Sequence, residues 1–244
     1  MILTILAGNH NTRLVFWKKN RISGRKILPT NQIINHLDCL IATHLLEGAA
    51  LASVVPDFTP QFYRTLCEHT PTLLVTARTP TPLKICYRQK MLGSDRLCAA
   101  VGGYLRYRRN LIVLDFGTAT TVNIVHYKEK MFLGGPIFPG FGIILSALAE
   151  KTAQLPIVKL HPRENPITNN THTAIRAGVF NLILGGLYQI IEEIRCQTKK
   201  HYQILATGGE ANFWSRNCPL IEKVDPELAS FGLLKIYYFN RRKK

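Results

Sequence analysis

Residues 111–127, LIVLDFGTATTVNIVHY, read as an apolar strand (Leu111 to Leu114), a turn of small and hydroxyl residues, and a second strand (Val122 to Tyr127). Residues 2–17, ILTILAGNHNTRLVFW, follow the same plan: Ile2 to Leu6 as a strand, Gly8 to Thr12 as a turn, and Leu14 to Trp17 as a strand. Two strand-turn-strand units about a hundred residues apart form a weak internal repeat and predict two similar lobes with a ligand cleft between them. The division falls between an N-terminal lobe, 1–110, and a C-terminal lobe, 111–244.

Helices alternate with these strands. Ile33, Ile34, Leu37, Leu40, Ile41, Leu45 and Leu46 recur at helical spacing between Asn31 and Ala50, with Thr30 or Asn31 as cap. Thr59-Pro60 predicts a second helix start, and Thr72 to Thr76 a strand. Gly142 to Thr152 and Ile175 to Ile194 read as helices, and Gln203 to Ala206 as a strand that runs into Thr207-Gly208-Gly209. Strands alternating with helices make this an α/β chain.

Composition narrows the function classes. With 244 residues and 46% hydrophobic content, the chain can bury a full core. Residues 2–7 are too short for a signal peptide's hydrophobic region, and no uninterrupted apolar run reaches about 18 residues, so the expectation is a cytoplasmic protein without a membrane span. The six cysteines (Cys39, Cys67, Cys86, Cys98, Cys196, Cys218) contain no C-x-x-C pair and read as buried free thiols. His10, His126 and His172 lack metal-ligand spacing. The net charge of +16 gathers at Arg13 to Lys26, Tyr104 to Arg109 and residues 241–244. No aromatic-interleaved module accompanies it, which favours solubility or nucleotide attraction over a specific nucleic-acid partner.

Three glycine and hydroxyl turns follow apolar strands: Gly8 to Thr12, Gly117 to Thr121, and Thr207 to Gly209. Such turns bring backbone N–H groups close to phosphate, although each alone also fits a plain strand connection. Gly93-Ser94-Asp95-Arg96 sets a carboxylate beside a guanidinium just before the apolar helix Leu97 to Leu105. It fits either a general base with an anion-binding partner or a helix start capped by Ser94 or Asp95. Asp115 ends a very apolar strand, where a carboxylate is costly unless it is paired or bound to a cation; a hydrogen-bonded turn aspartate is the alternative.

Taken together, GSDR, DFGTATT, GGPIFPGFGIILSALAEKTAQLP, NTHTAIRAG, ATGGEA and DPELASFGLL stand in the order found in type III pantothenate kinases, which this chain resembles from Ile2 to about Gly232. The resemblance implies a duplicated ribonuclease-H-like fold of the actin-like ATPase superfamily, a homodimer, and ATP-dependent phosphorylation of pantothenate, the first step of coenzyme A biosynthesis. It implies Mg²⁺ and a monovalent cation, K⁺ or NH₄⁺, as cofactors. Asp95 becomes the base for the pantothenate hydroxyl. Gly93, Ser94, Asp95, Arg96 and Thr171 become substrate contacts. Leu6, Ala7, Gly8, Asn9, His10, Asn11, Thr12, Arg13 and Thr118 become ATP contacts, and Asp115 the monovalent-cation ligand.

Two departures stand out. The family's first strand ends in aspartate-x-glycine-asparagine-threonine, and here the aspartate position holds Leu6, or Gly8 in a register shifted by two. Neither supplies a carboxylate to Mg²⁺ or its water. Tyr87 lies one residue too near Gly93 for the family's substrate-side tyrosine, and the usual intervening proline is absent. These departures leave a second reading, a regulatory or nucleic-acid-binding relative without activity, and a third, a kinase for another hydroxyl metabolite.

Overall fold

The computed structural model describes residues 1–159, 161 and 164–241. In chain order its elements are β1 (Ile2–Ala7), β2 (Asn11–Lys18), β3 (Arg21–Pro29), α1 (Thr30–Ala42), β4 (Gly48–Ser53), α2 (Thr59–His69), β5 (Thr72–Val75) and β6 (Lys84–Ile85). A 3-10 turn at Gln89–Met91 precedes α3 (Ser94–Tyr107). Then come β7 (Leu111–Phe116), β8 (Ala119–His126), β9 (Met131–Gly134), β10 (Ile137–Pro139), α4 (Phe141–Lys151), α5 (Thr171–Thr198), β11 (Gln203–Gly208), α6 (Ala211–Asn217), β12 (Lys223–Val224) and α7 (Leu228–Arg241). They group into two compact units, Met1–Arg108 with Val125–Gly134 and Glu227–Lys244, and Arg109–Ile124 with Gly135–Pro226. The units are thus not a simple cut between 110 and 111. β9 pairs with β6, and α7 packs on α3 and β1, which draws both segments into the first unit.

In the first unit a five-stranded sheet runs β3-β2-β1-β4-β5. β1 to β3 are antiparallel, and β4 and β5 continue parallel to β1. Alternation sends Leu3, Ile5 and Ala7, with Leu14 and Phe16, into a core closed by Ile33, Leu37 and Ile41 of α1 and Phe62 and Leu66 of α2. α3 and α7 cover the opposite face through β4 and β1. In the second unit the order β8-β7-β11-β12 repeats β2-β1-β4-β5. The repeat read from the sequence is therefore a repeat of topology: a central strand with its hairpin partner on one side and parallel strands on the other. The second unit's core centres on Trp214, fully buried and stacked on Phe116 at 5.6 Å and on Phe180 at 5.5 Å.

The first helix ends earlier than its periodicity suggests. α1 stops at Ala42, Leu45 is 95% exposed, and Gly48 to Ser53 form β4, a central strand buried from Gly48 to Ala52. A short run buried on both faces, GAALAS, carries no alternation to mark it as a strand. β3 escaped notice for the opposite reason: it is largely exposed on both faces, and Arg21, Arg25 and Lys26 line this edge, where charge discourages pairing with other chains. Neither Thr30 nor Asn31 caps α1, since Pro29 holds that position. All six cysteines are free, yet only Cys98 and Cys218 are buried, which corrects the expectation that all would be. Among the described residues one helix, α5, is long and apolar enough to cross a membrane, although eight of its residues pack inside the second unit. Of the basic cluster at 241–244, residues 242–244 lie outside the described residues.

α3 and α7 cross at glycines. A β-carbon on Gly232 would meet the Cys98 carbonyl oxygen at 1.8 Å, and one on Gly102 the Leu228 carbonyl oxygen at 2.1 Å. Backbone lies against backbone here, so no side chain can swing aside. Gly232→Ala is expected to cost on the order of 1–3 kcal/mol, seen as a lower urea midpoint at unchanged slope.

Candidate active site

The first cluster forms where strands of the first unit end. β1 closes at Ala7, whose carbonyl accepts the Val54 N–H at 3.0 Å, so the chain leaving β4 is tied beside the first hairpin turn. That turn is tight, with the Gly8 N–H donating to the Asn11 carbonyl at 3.0 Å. It is braced from below by the Thr30 hydroxyl, which donates to the Gly8 carbonyl at 2.6 Å and lies 3.0 Å from the buried Thr12 hydroxyl. Asn9, His10 and Asn11 are exposed at the tip. Leu6 and Arg13 face each other across the hairpin.

The N-terminus of α3 is fastened to the same strand ends. The Ser94 hydroxyl donates to the Ser53 carbonyl at 3.0 Å, and Ser53 pairs with Ala7 in the sheet. Neither Ser94 nor Asp95 caps the helix, as the sequence suggested one would; Gly93 holds the cap position, and the buried Ser94 is spent on β4. Asp95 sits in the first turn, where its Oδ1 accepts the Arg96 N–H at 2.7 Å and the helix dipole favours negative charge. Burial nevertheless outweighs these effects and pushes its carboxyl above the usual aspartate range. A desolvated carboxylate at a helix start is a better proton acceptor than one in water.

Arg96 is 4% exposed, and its guanidinium lies 5.3 Å from the Tyr87 ring centre and 5.9 Å from that of Phe132. Burial lowers its pKa, while the Tyr87 hydroxyl, hydrogen-bonded to it, and the Asp95 charge favour the cation. Tyr87, whose spacing to Gly93 departs from the expected pattern, is therefore brought against Arg96. Its place depends on Gly134, at φ +86°, where a β-carbon would lie 2.5 Å from the Tyr87 Cδ2. Phe132 and Gly134 belong to β9, far from GSDR in sequence; Gly134 opens the GGPIFPG motif, but no local pattern ties it to Tyr87.

The second cluster belongs to the second unit. β7 and β11 lie parallel with Asp115 beside Thr207 and Phe116 beside Gly208, so the Asp115-to-Thr121 and Thr207-to-Gly209 turns meet at one sheet end. The half-buried Asp115 carboxylate lies against Gly208, the Gly140 N–H donates to the Thr118 carbonyl at 3.0 Å, and the Glu210 N–H donates to the Phe116 carbonyl at 3.3 Å. Next to these turns a cavity of about 300 Å³ is lined by Phe141, Leu145, Val158 and Glu210, among others. Burial raises the Glu210 carboxyl, although Trp214 Nε1 donates to it at 3.4 Å. Thr171 is exposed at the first residue of α5, behind the cap Asn170.

Oxygen donors for a monovalent cation are available at Asp115 and the carbonyls around it. Mg²⁺ fits the first hairpin poorly: Leu6 has no oxygen to offer, and the described residues contain no group of three or more His, Cys, Asp or Glu able to hold a metal.

Asp95 carries a stability signature. The folded chain holds its proton more tightly than the unfolded chain does, so stability falls as pH rises past the ordinary aspartate value and through the raised one. Asp95→Asn should therefore melt above wild type at pH 7, and the gap should close below about pH 3.9. Gly134→Ala should displace the Tyr87 ring, read as a change in the tyrosine near-ultraviolet circular dichroism against a preserved far-ultraviolet spectrum.

Residues 2–193 match the type III pantothenate kinase family. A type III pantothenate kinase of Porphyromonas gingivalis is 31% identical over 245 residues, covering 98% of each chain. Among solved structures, a conserved Campylobacter jejuni protein described as a Baf-family transcriptional activator superposes with a TM-score of 0.67 at 18% identity, covering 98% of this chain and 99% of its own. A ROK hexokinase from Thermus thermophilus does so at 0.53 and 14%, covering 98% and 99%. At such identities these structures speak to fold alone, and with the repeated strand order they support the duplicated α/β, ribonuclease-H-like fold. From the match over 192 of its 244 residues (2 to 193), the chain belongs to the type III pantothenate kinase family.

Proposed function

We propose that this protein transfers the γ-phosphoryl group of ATP to pantothenate, forming 4′-phosphopantothenate and ADP at the entry to coenzyme A biosynthesis. The observation that carries the reading is Asp95: a carboxylate with its pKa raised by burial, held at a helix start that is anchored to the strand ends beside a glycine hairpin. Family membership does not favour the regulatory or nucleic-acid-binding alternative, and the named relatives favour pantothenate over another hydroxyl metabolite.

Asp95 takes the proton of the pantothenate hydroxyl as its oxygen bonds to the γ-phosphorus, while the bond from that phosphorus to the bridging oxygen breaks and ADP departs with the electron pair. Gly93, Ser94, Arg96 and Thr171 hold pantothenate, and Tyr87, lying on Arg96, joins them. The hairpin from Leu6 to Arg13 and Thr118 contact ATP. Asp115 would hold K⁺ or NH₄⁺, which would supply positive charge; Mg²⁺ would arrive with the nucleotide as part of the substrate. A homodimer is part of this reading, supported by the unpartnered face of α5, where Leu182 is 65% and Tyr188 41% exposed. The cytoplasmic location belongs to the same proposal.

The purified protein, given ATP, Mg²⁺, K⁺ and pantothenate, should form phosphopantothenate, and Asp95→Asn should lower kcat by roughly 10²-fold or more while ATP still binds. A folded wild type without turnover, or an Asp95→Asn protein as active as wild type, would sink the reading.

A further inference from the structure

Three cations of the first unit converge on a cavity that the reaction described above does not use. The cavity, of about 480 Å³, is lined by Arg78, Arg88, Lys90 and Met91, none of which is assigned to pantothenate or ATP. Its size falls in the range of small-ligand pockets, roughly 300–1,000 Å³. All four residues are exposed, and among the described residues no carboxylate comes within ion-pair distance of Arg78, Arg88 or Lys90.

Two anchored turns carry the cluster. Arg78 lies in the turn after β5, where the Thr76 N–H donates to the Thr79 hydroxyl at 2.9 Å, the Arg78 N–H to the Thr76 hydroxyl at 3.3 Å, and the Thr79 N–H to the Thr76 carbonyl at 3.0 Å. α7 braces the end of this turn through Asn240, whose Nδ2 donates to the Pro80 carbonyl at 3.0 Å. Arg88 and Lys90 belong to the turn that the Met91 N–H closes on the Arg88 carbonyl at 2.9 Å. The Cys86 N–H ties the chain entering it to the Phe132 carbonyl of β9 at 2.9 Å, and Ser94 ties the chain leaving it to β4.

Cations held together without a counter-charge repel one another, and a cleft lined by one sign of charge concentrates ions of the other. Two guanidinium forks suit phosphate oxygens bidentately, and the lysine adds a point charge. A monoanion would leave most of this charge unmatched, whereas an anion with two or more phosphate groups would match it. Arg88 directly follows Tyr87, which lies against Arg96, and Met91 stands two residues before Gly93. Pantothenate is itself a carboxylate anion, so a multiply charged anion seated here cancels part of the field that attracts it.

We infer that Arg78, Arg88 and Lys90 form a separate effector site for a small molecule bearing two or more phosphate groups, and that its occupancy weakens pantothenate binding. The effect on pantothenate rests on the kinase reading above; the anion site stands apart from it.

The test is calorimetric binding of inorganic tripolyphosphate to the full-length protein saturated with β,γ-imido-ATP, which keeps the probe out of the nucleotide site. Wild type should take up one tripolyphosphate and bind orthophosphate at least about tenfold more weakly. The triple variant Arg78→Gln, Arg88→Gln, Lys90→Gln should lose at least about tenfold in tripolyphosphate affinity. Removing the same charge from β3 with Arg21→Gln, Arg25→Gln and Lys26→Gln should change it by less than about threefold at physiological salt. Saturating pantothenate should weaken tripolyphosphate binding at least about threefold. At saturating ATP, tripolyphosphate should raise the pantothenate KM of wild type at unchanged kcat, and not that of the Arg78, Arg88, Lys90 variant. Far-ultraviolet circular dichroism checks the fold of each variant. Wild type without tripolyphosphate binding, equal losses in the two triple variants, or an affinity unchanged by pantothenate that the protein does bind would overturn the inference. Tripolyphosphate binding lost only in the Arg78, Arg88, Lys90 variant, with pantothenate neither bound nor phosphorylated, would sink the kinase reading and leave the anion site standing.

Discussion

The first unit depends on the crossing of α3 and α7. Because Gly102 and Gly232 have no side chains, the two helices meet backbone to backbone, and the Cys98 and Leu228 carbonyls occupy the space that β-carbons would need. This close approach lets both helices lie on the same face of one five-stranded sheet. It also fixes what their N-terminal ends present: Asp95 at the start of α3, and Glu227 immediately before α7. A wider crossing would lift at least one of these carboxylates from the strand ends it serves.

From this frame the chemistry follows by electrostatics. Asp95 is drawn in by the helix dipole and a backbone N–H, yet burial dominates and makes it basic. Arg96 balances that charge while being buried against Tyr87 and Phe132, so the carboxylate and its neutralising partner occupy successive residues. The second unit repeats the strand order and brings two further turns side by side by placing Asp115 opposite Thr207. Phosphoryl transfer needs little covalent work from a protein and much placement of charge, which strand ends and helix starts provide.

The positive charge is not uniform in meaning. Arg21, Arg25 and Lys26 line β3, an edge strand, where they guard against unwanted pairing. Arg13, one strand inward and mostly buried, is held by Glu227 beside Leu6. Sequence alone counts these residues together in one basic run, and only the register of β1 against β2 and of β2 against β3 separates a solvated edge from a placed guanidinium.

By itself the sequence determined what local chemistry can express. Strand-turn-strand spacing marked both hairpins, helical periodicity marked α4 and α5, and GSDR with DFGTATT marked the family. These signals survive in one dimension because each is made by residues close together in the chain. The tertiary structure decided the rest. β4 was hidden because burial on both faces erases alternation, and β3 because exposure on both faces does the same. Tyr87 meets Arg96 only because β6 pairs with β9 and Gly134 leaves the ring room. Glu227 meets Arg13 across more than two hundred residues because two glycines let α7 settle on α3 and the sheet. Contacts of that kind are set by packing, which depends on the whole chain at once and has no local pattern to announce it.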